Sequence, residues 1–106
     1  MRLFVPESTF ADPRWAHWFL GLPTSRATVR ARAWRKARRA VALHPGDAEG
    51  PVAGRVVEVP DERVGLLDML FDGDGVARQT VVANASLRTV VAQAWVLGEG
   101  RRRGWR

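Results

Sequence analysis

Few side chains in this sequence of 106 residues belong to the types that carry out catalysis or bind metals. There is no cysteine, which excludes disulfides, thiolate nucleophiles and cysteine-based metal sites. His17 and His44 lie far apart and neither has a partner at metal-ligand spacing, so we expect no metal. The glycine patterns of phosphate-binding loops, dinucleotide-binding turns and nucleophile elbows do not occur. Carboxylates are therefore the remaining candidates for chemistry.

The acidic side chains of the middle segment have different expected roles. Asp61 is expected to cap the N–H groups at the start of a helix, where Glu62 adds favourable charge. Asp68 lies near the end of the same helix and is expected to be structural. Asp72 opens an Asp-Gly-Asp-Gly sequence that resembles a calcium-binding loop, but the downstream ligands and terminal glutamate of an EF-hand are missing. An aspartate in such a turn commonly bonds its own backbone.

Alternating apolar residues predict a series of short strands. The predicted strands are 2–5, 27–34, 52–59, 76–83 and 88–97, with a further short apolar segment at 40–43. Residues 7–9 are expected to form a loop, and turns are expected at 44–47 and 84–86. Pro6 is expected to close the first strand because it lacks the N–H of a strand ladder.

Two short helices are predicted between the strands. The first begins at Asp12-Pro13, and its apolar stripe consists of Trp15, Trp18, Phe19 and Leu22, which we expect to be core residues. The second covers about 61–70. Together these elements predict an α+β fold, a small mixed, mainly antiparallel β-barrel or curved sheet of five to six strands with two short helices. Residues 1–97 form a single domain in this interpretation, followed by a basic, flexible tail at 98–106.

The middle of the chain resembles a known family. Residues 50–70 read Gly-Pro-Val-Ala-Gly-Arg-Val-Val-Glu-Val-Pro-Asp-Glu-Arg-Val-Gly-Leu-Leu-Asp-Met-Leu. This segment is similar to that of the gamma-glutamyl cyclotransferase-like family, which runs Gly, Val, aliphatic, Val, an acidic pair and then Leu-Asp. The resemblance covers about residues 27–97, and less clearly 3–5. It implies the same small α+β barrel that the strand pattern predicts.

The resemblance also implies a reaction. In this family the α-amine of a γ-glutamyl group attacks its own γ-carbonyl, which forms 5-oxoproline and releases an amine or amino acid. One carboxylate takes the amine proton and returns it to the leaving group. The family's glutamate, which is followed by glycine, aligns with Phe71, and Asp72-Gly73 follows one residue later. Asp72 is therefore the catalytic residue that the resemblance implies.

The family's second functional segment is a Tyr-Gly-Ser-Leu loop after the first strand, whose N–H groups stabilise the carbonyl oxygen. The resemblance places substrate binding in the corresponding residues, which are Val5, Pro6, Glu7, Ser8 and Thr9. Ser8 alone matches the family. Pro6 removes a donor, and Glu7 would repel the α-carboxylate of the substrate if it faced inward.

These departures leave two functions open. The chain is an enzyme that releases 5-oxoproline from a gamma-glutamyl amine or peptide with a divergent active site, or a non-catalytic protein that binds a small anionic metabolite in the barrel. The resemblance implies no cofactor.

The charge and hydropathy of the chain bear on its partners. The net charge is +6, and Lys36 is the one lysine among 17 basic residues. Because the arginines are dispersed, we expect nucleic-acid binding to be weak and nonspecific, so a basic nucleic-acid-associated module ranks third. No apolar run is long enough to span a membrane and no secretory signal is evident, which predicts a cytoplasmic protein.

Overall fold

Residues 1–35, 41–45, 51–71 and 76–97 are described by the structure, a computed structural model. In this part of the chain the elements are β1 (Arg2–Pro6), α1 (Glu7–Phe10), α2 (Pro13–Ala16), a 3-10 turn (His17–Phe19), β2 (Thr24–Arg35), β3 (Val41–Pro45), β4 (Pro51–Glu58), α3 (Asp61–Phe71), β5 (Val76–Ala85) and β6 (Arg88–Leu97). The predicted tail and the second half of the predicted 44–47 turn lie outside the described residues.

Five of the strands close into a barrel. β1 pairs with β4, β4 with β2, β2 with β5 and β5 with β6, all antiparallel. A parallel contact between Leu3 of β1 and Gln93 of β6 closes the ring. β3 pairs with the second half of β2 and meets β6 at Leu43 and Val96. The predicted fold class, a small mixed and mainly antiparallel α+β barrel, is confirmed.

The interior of the barrel is apolar. Side chains alternate between the two faces of a strand, so every second residue of β1, β4, β5 and β6 points inward. Phe4 is the largest member of the buried cluster inside, which also contains Ala27, Val29, Leu43, Val56, Ala83, Val90, Ala92, Ala94 and Val96. Burial of these side chains is the main stabilising contribution of the barrel.

A second hydrophobic cluster, called the outer core below, lies between the outside of the barrel and the helices. Its buried members are Leu3, Val5, Phe19, Val57, Val59, Val64, Leu67 and Trp95. The predicted stripe on the first helix packs here, because Phe19 is buried and Trp15, Trp18 and Leu22 are partly buried against the cluster. The expected core role of these aromatic residues is confirmed.

The first predicted helix is divided into pieces, and the loop before it is helical. Residues 7–9 were predicted as a loop but belong to α1, which follows Pro6 at φ −59° and ψ 148°. Pro6 is the last strand residue and pairs with Gly54. α2 begins with Pro13 after the side chain of Asp12, which accepts a bond from the Arg14 N–H at 3.0 Å. The Arg14 side chain also bonds this carboxylate and lowers the pKa of Asp12.

Other boundaries differ because strand pairing extends beyond the local signals. Asn84 and Ala85 continue the ladder with β6, so the expected 84–86 turn is wrong and the turn contains Ser86 and Leu87. Residues 44–45 pair with β2 instead of starting a turn.

Asp61 is the first residue of α3 and lies 3.5 Å from the N-terminal ammonium. The carbonyl of Pro60 accepts the N–H groups of the first turn of α3.

Within the described residues, no helix has the length and apolar character needed to cross a membrane.

Gly54 is required for the close approach of β4 to β1. A Cβ atom at this position would meet the backbone oxygen of Val5 and lie 2.6 Å from the Phe4 ring. The backbone cannot withdraw without breaking the β1–β4 ladder. Only glycine therefore fits here without a shift of β1.

We expect Gly54→Ala to lower the free energy of unfolding by about 1–3 kcal/mol, as overpacking does in closely packed cores. Gly65→Ala is the matched control, because a Cβ atom there has nothing within 4 Å and Gly65 lies inside α3. The free energy of unfolding of that variant should rise by roughly 0.5–1 kcal/mol, because alanine has a higher helix propensity than glycine. Chemical denaturation of both variants measures the difference. Equal stability of the two would contradict the assigned close approach.

Candidate functional site

The five residues predicted to bind substrate lie where β1 ends and α1 begins. Val5 and Pro6 are buried at the end of the strand, Glu7 is exposed, Ser8 is half-buried and Thr9 is buried. The segment is anchored on one side by pairing of Val5 with Arg55 and of Pro6 with Gly54. Its position is therefore set by the barrel, whereas its chemistry is set by Glu7 and Thr9.

Glu7 is held by an arginine that could not be identified from the sequence. The Arg55 guanidinium donates to both oxygens of the Glu7 carboxylate, at 3.3 and 3.1 Å. The same guanidinium lies 4.6 Å from the centre of the Phe10 ring. Arg55 alternates with Gly54 and Val56, which face the barrel interior, and so lies on the outer face of β4. The negative charge of Glu7 is therefore balanced outside the barrel.

Thr9 carries an unsatisfied polar group. Its side chain is 4% exposed, and its hydroxyl has no hydrogen-bond partner among the described residues. A buried hydroxyl without a partner costs about 1–3 kcal/mol. The packing of α1 therefore leaves one polar atom of the predicted binding segment without an internal partner.

Asp72, the predicted catalytic residue, lies outside the described residues. The strand register nevertheless relates Val76, which follows Asp72 in the chain, to residues 5–9, called the first loop below. Leu3 of β1 pairs with Gln93 of β6, which in turn pairs with Thr80 of β5. β1 is parallel to β6, so from this row it runs toward Pro6 in the same direction in which β6 runs toward Leu97. β5 is antiparallel to β6, and its first residue, Val76, pairs with Leu97. The end of β1 and the start of β5 therefore lie at the same end of the barrel.

Asp68 is engaged by two other side chains. Arg78 donates to both of its oxygens at 3.0 to 3.2 Å, and the indole N–H of Trp95 donates to Oδ1 at 2.9 Å. Arg78 and Trp95 are directly opposite each other on β5 and β6. The carboxylate of Asp68 thus ties α3 to two strands of the barrel. This arrangement agrees with the structural role expected for Asp68.

The barrel that carries the first loop and the Asp68 contacts has a fold that occurs elsewhere. The structure is similar to a solution structure of a protein from Arabidopsis thaliana, with a TM-score of 0.64 and 20% sequence identity. The match covers 91% of this chain and 61% of the Arabidopsis chain, so the chain spans less than two thirds of that protein. No family model and no curated protein matches the sequence. At this identity, the similarity establishes the fold.

We expect Asp68→Asn to lower the free energy of unfolding by about 1–2 kcal/mol, because one oxygen and the charge of a partly exposed ion pair are lost. Glu62→Gln is the control, since Glu62 is exposed on the same helix and forms no ion pair with a described residue. Thermal unfolding of the two variants is the measurement. If Asp68→Asn unfolds like Glu62→Gln, the carboxylate does not hold α3 to the barrel.

Proposed function

We propose that this chain is a gamma-glutamyl cyclotransferase-like protein that releases 5-oxoproline from a gamma-glutamyl amine or peptide. The reaction takes place at the end of the barrel where β1 stops and β5 starts. The observation that carries the proposal is the strand register, which brings the start of the first loop and Val76 to one end of the barrel. The family's two functional segments, as matched by sequence, adjoin these positions.

Asp72 has the central role in this reaction. The substrate amine is protonated at neutral pH and cannot attack the γ-carbonyl until a base removes a proton. Asp72 takes this proton and the nitrogen attacks the γ-carbonyl to close the five-membered ring. As the γ-amide bond breaks, the ring nitrogen gives up a second proton, and both protons pass to the leaving group, which departs as an ammonium ion. One carboxylate is sufficient for these proton transfers, and the reaction needs no cofactor.

The first loop holds the glutamyl end of the substrate. Val5 and Pro6 end a strand that is buried on both faces, and residues 7–9 follow it, which gives this segment a rigid base. Because Arg55 already binds Glu7, repulsion between Glu7 and a substrate carboxylate is weaker than the sequence alone implies.

Phe71 favours a second candidate, a non-catalytic protein that binds a small anionic metabolite. This residue stands where the family has its glutamate, and its side chain cannot transfer a proton. The described interior of the barrel is apolar, so an anion would bind at the end of the barrel and not inside it. The two candidates therefore share one site and differ in turnover.

Asp72→Asn should abolish the release of 5-oxoproline from a panel of gamma-glutamyl amines and peptides, because amide cannot accept the amine proton. Asp74→Asn is the matched control, with the same change of charge two positions along the chain. It should retain at least half of the parent rate. The assay quantifies 5-oxoproline by liquid chromatography over hours, since a shortened carboxylate in a positioned reaction is expected to be slow.

Turnover that persists in Asp72→Asn would exclude this residue as the base. If the parent protein binds gamma-glutamyl compounds without turnover, the non-catalytic binding function replaces the enzymatic one. Absence of both binding and turnover would reject the shared site.

Glu7→Gln should strengthen binding of gamma-glutamyl compounds that carry a free α-carboxylate. The change removes a negative charge beside the loop and leaves the Arg55 guanidinium without its counter-charge. Each 1.4 kcal/mol recovered corresponds to about a tenfold lower Kd. The double variant Glu7→Gln with Arg55→Gln is the control and should lose most of the gain. Isothermal calorimetry measures both, and a folded Glu7→Gln variant with unchanged affinity would show that this charge does not limit binding.

A further inference from the structure

A cleft lies between the start of β2 and the turn that joins β5 to β6. Its volume is about 650 Å³, and it is lined by Ser25, Arg26, Ala85, Ser86, Leu87 and Arg88. This volume is within the range of small-molecule sites in proteins. None of these residues belongs to the first loop or to the Asp68 contacts. We call it the β2–β5 cleft.

Strand register explains why residues of β2 and of the β5–β6 turn line one cleft. Ala27 of β2 pairs with Ala85 of β5, and Ala85 pairs with Arg88 of β6. Arg26 precedes Ala27 in the chain, so Arg26 and Arg88 approach Ala85 from the two strands on either side of it. Residues far apart in the sequence thus line one cleft through the closure of the barrel.

Neither arginine of the cleft has a counter-charge within the described part of the chain. Arg26 and Arg88 are exposed, and neither forms an ion pair with any described residue. Apart from Glu62, the described carboxylates are engaged in ion pairs, as in the pairs of Arg2 with Glu58, Arg14 with Asp12, Arg55 with Glu7 and Arg78 with Asp68. The positive charge of the cleft is therefore left for an anion from solution.

Strand pairing places a third arginine beside the cleft. Arg26 lies directly opposite Arg55 in the β2–β4 ladder. Like charges that face each other across two strands are destabilising. Glu7 neutralises Arg55 but makes no bond to Arg26. An anion bound to Arg26 would relieve the remaining repulsion.

We propose that the β2–β5 cleft binds the phosphate group of a small organic phosphate. Guanidinium groups present paired N–H donors that match phosphate oxygens, and the hydroxyls of Ser25 and Ser86 supply two further donors. Leu87 is 98% exposed at the rim of the cleft and offers an apolar contact to the organic part of the ligand. A bare inorganic anion would leave that apolar contact unused.

Phenyl phosphate and inorganic phosphate are suitable probes, titrated into the full chain at physiological salt and followed by amide NMR shifts. We expect saturable shifts at Arg26, Ser86 and Leu87 with both probes. Phenyl phosphate should bind several-fold more tightly, because its ring covers Leu87. Phenol at the same concentrations controls for binding of the ring alone and should cause no saturable shift.

Arg26→Gln and Arg88→Gln should each weaken phenyl phosphate binding by about tenfold, since each removes a charge-assisted interaction. Arg30→Gln is the matched control, because Arg30 is exposed on the same strand but does not line the cleft. It should change the Kd less than twofold. Thermal unfolding confirms that all three variants are folded.

Three results would overturn the proposal. The first is an absence of saturable shifts with either phosphate probe. The second is equal weakening by Arg30→Gln, which would indicate general charge attraction. The third is tighter binding of a mixed-sequence RNA than of phenyl phosphate at physiological salt, together with a loss of RNA affinity in Arg30→Gln. That combination would identify an extended nucleic-acid surface instead.

Discussion

β1 is buried on both of its faces, and the two hydrophobic clusters of the protein meet on this strand. Phe4 enters the barrel interior, whereas Leu3 and Val5 enter the outer core, and all three are at most 2% exposed. β1 also joins β4 to β6 and so closes the ring. The barrel, the helices and the first loop therefore depend on correct placement of five residues.

The burial of β1 has a consequence for the proposed site. A strand that packs on both sides cannot move far, so the first loop, which begins at its end, has a fixed position. Gly54 permits this packing by leaving room for the Val5 carbonyl and the Phe4 ring. The side chains that follow β1 can therefore differ while the strand that supports them stays in place. Such a site can change its chemistry without loss of the fold.

The described charged residues divide into two groups. Most carboxylates lie in ion pairs that join distant elements, as Glu7 joins α1 to β4 and Asp68 joins α3 to β5. Arg26 and Arg88 have no such partner and lie together at the opening between β2 and β5. The charge of the described surface is thus uneven, because pairing cancels it in some places and leaves it in others. Local excess charge, more than the total, indicates where an anion would bind.

Local periodicity in the sequence determined most of the elements and the fold class. Residues 88–97 form β6 with the expected bounds. Helical spacing gave α3 to within one residue at its end. These predictions succeed because the period of apolar residues depends on which face a strand or helix buries, and this information is local.

Tertiary structure alone decided which residues meet. Glu7 and Arg55 are 48 residues apart, and Asp68 and Trp95 are 27 apart, so no local pattern pairs them. Arg26, Ser86 and Arg88 form one cleft only after β2 has paired with β5. Strand register sets these contacts, and register depends on the packing of whole faces and on barrel closure. The sequence alone therefore determined the elements and their buried faces, whereas the charge pairs and the clefts came from the closed barrel.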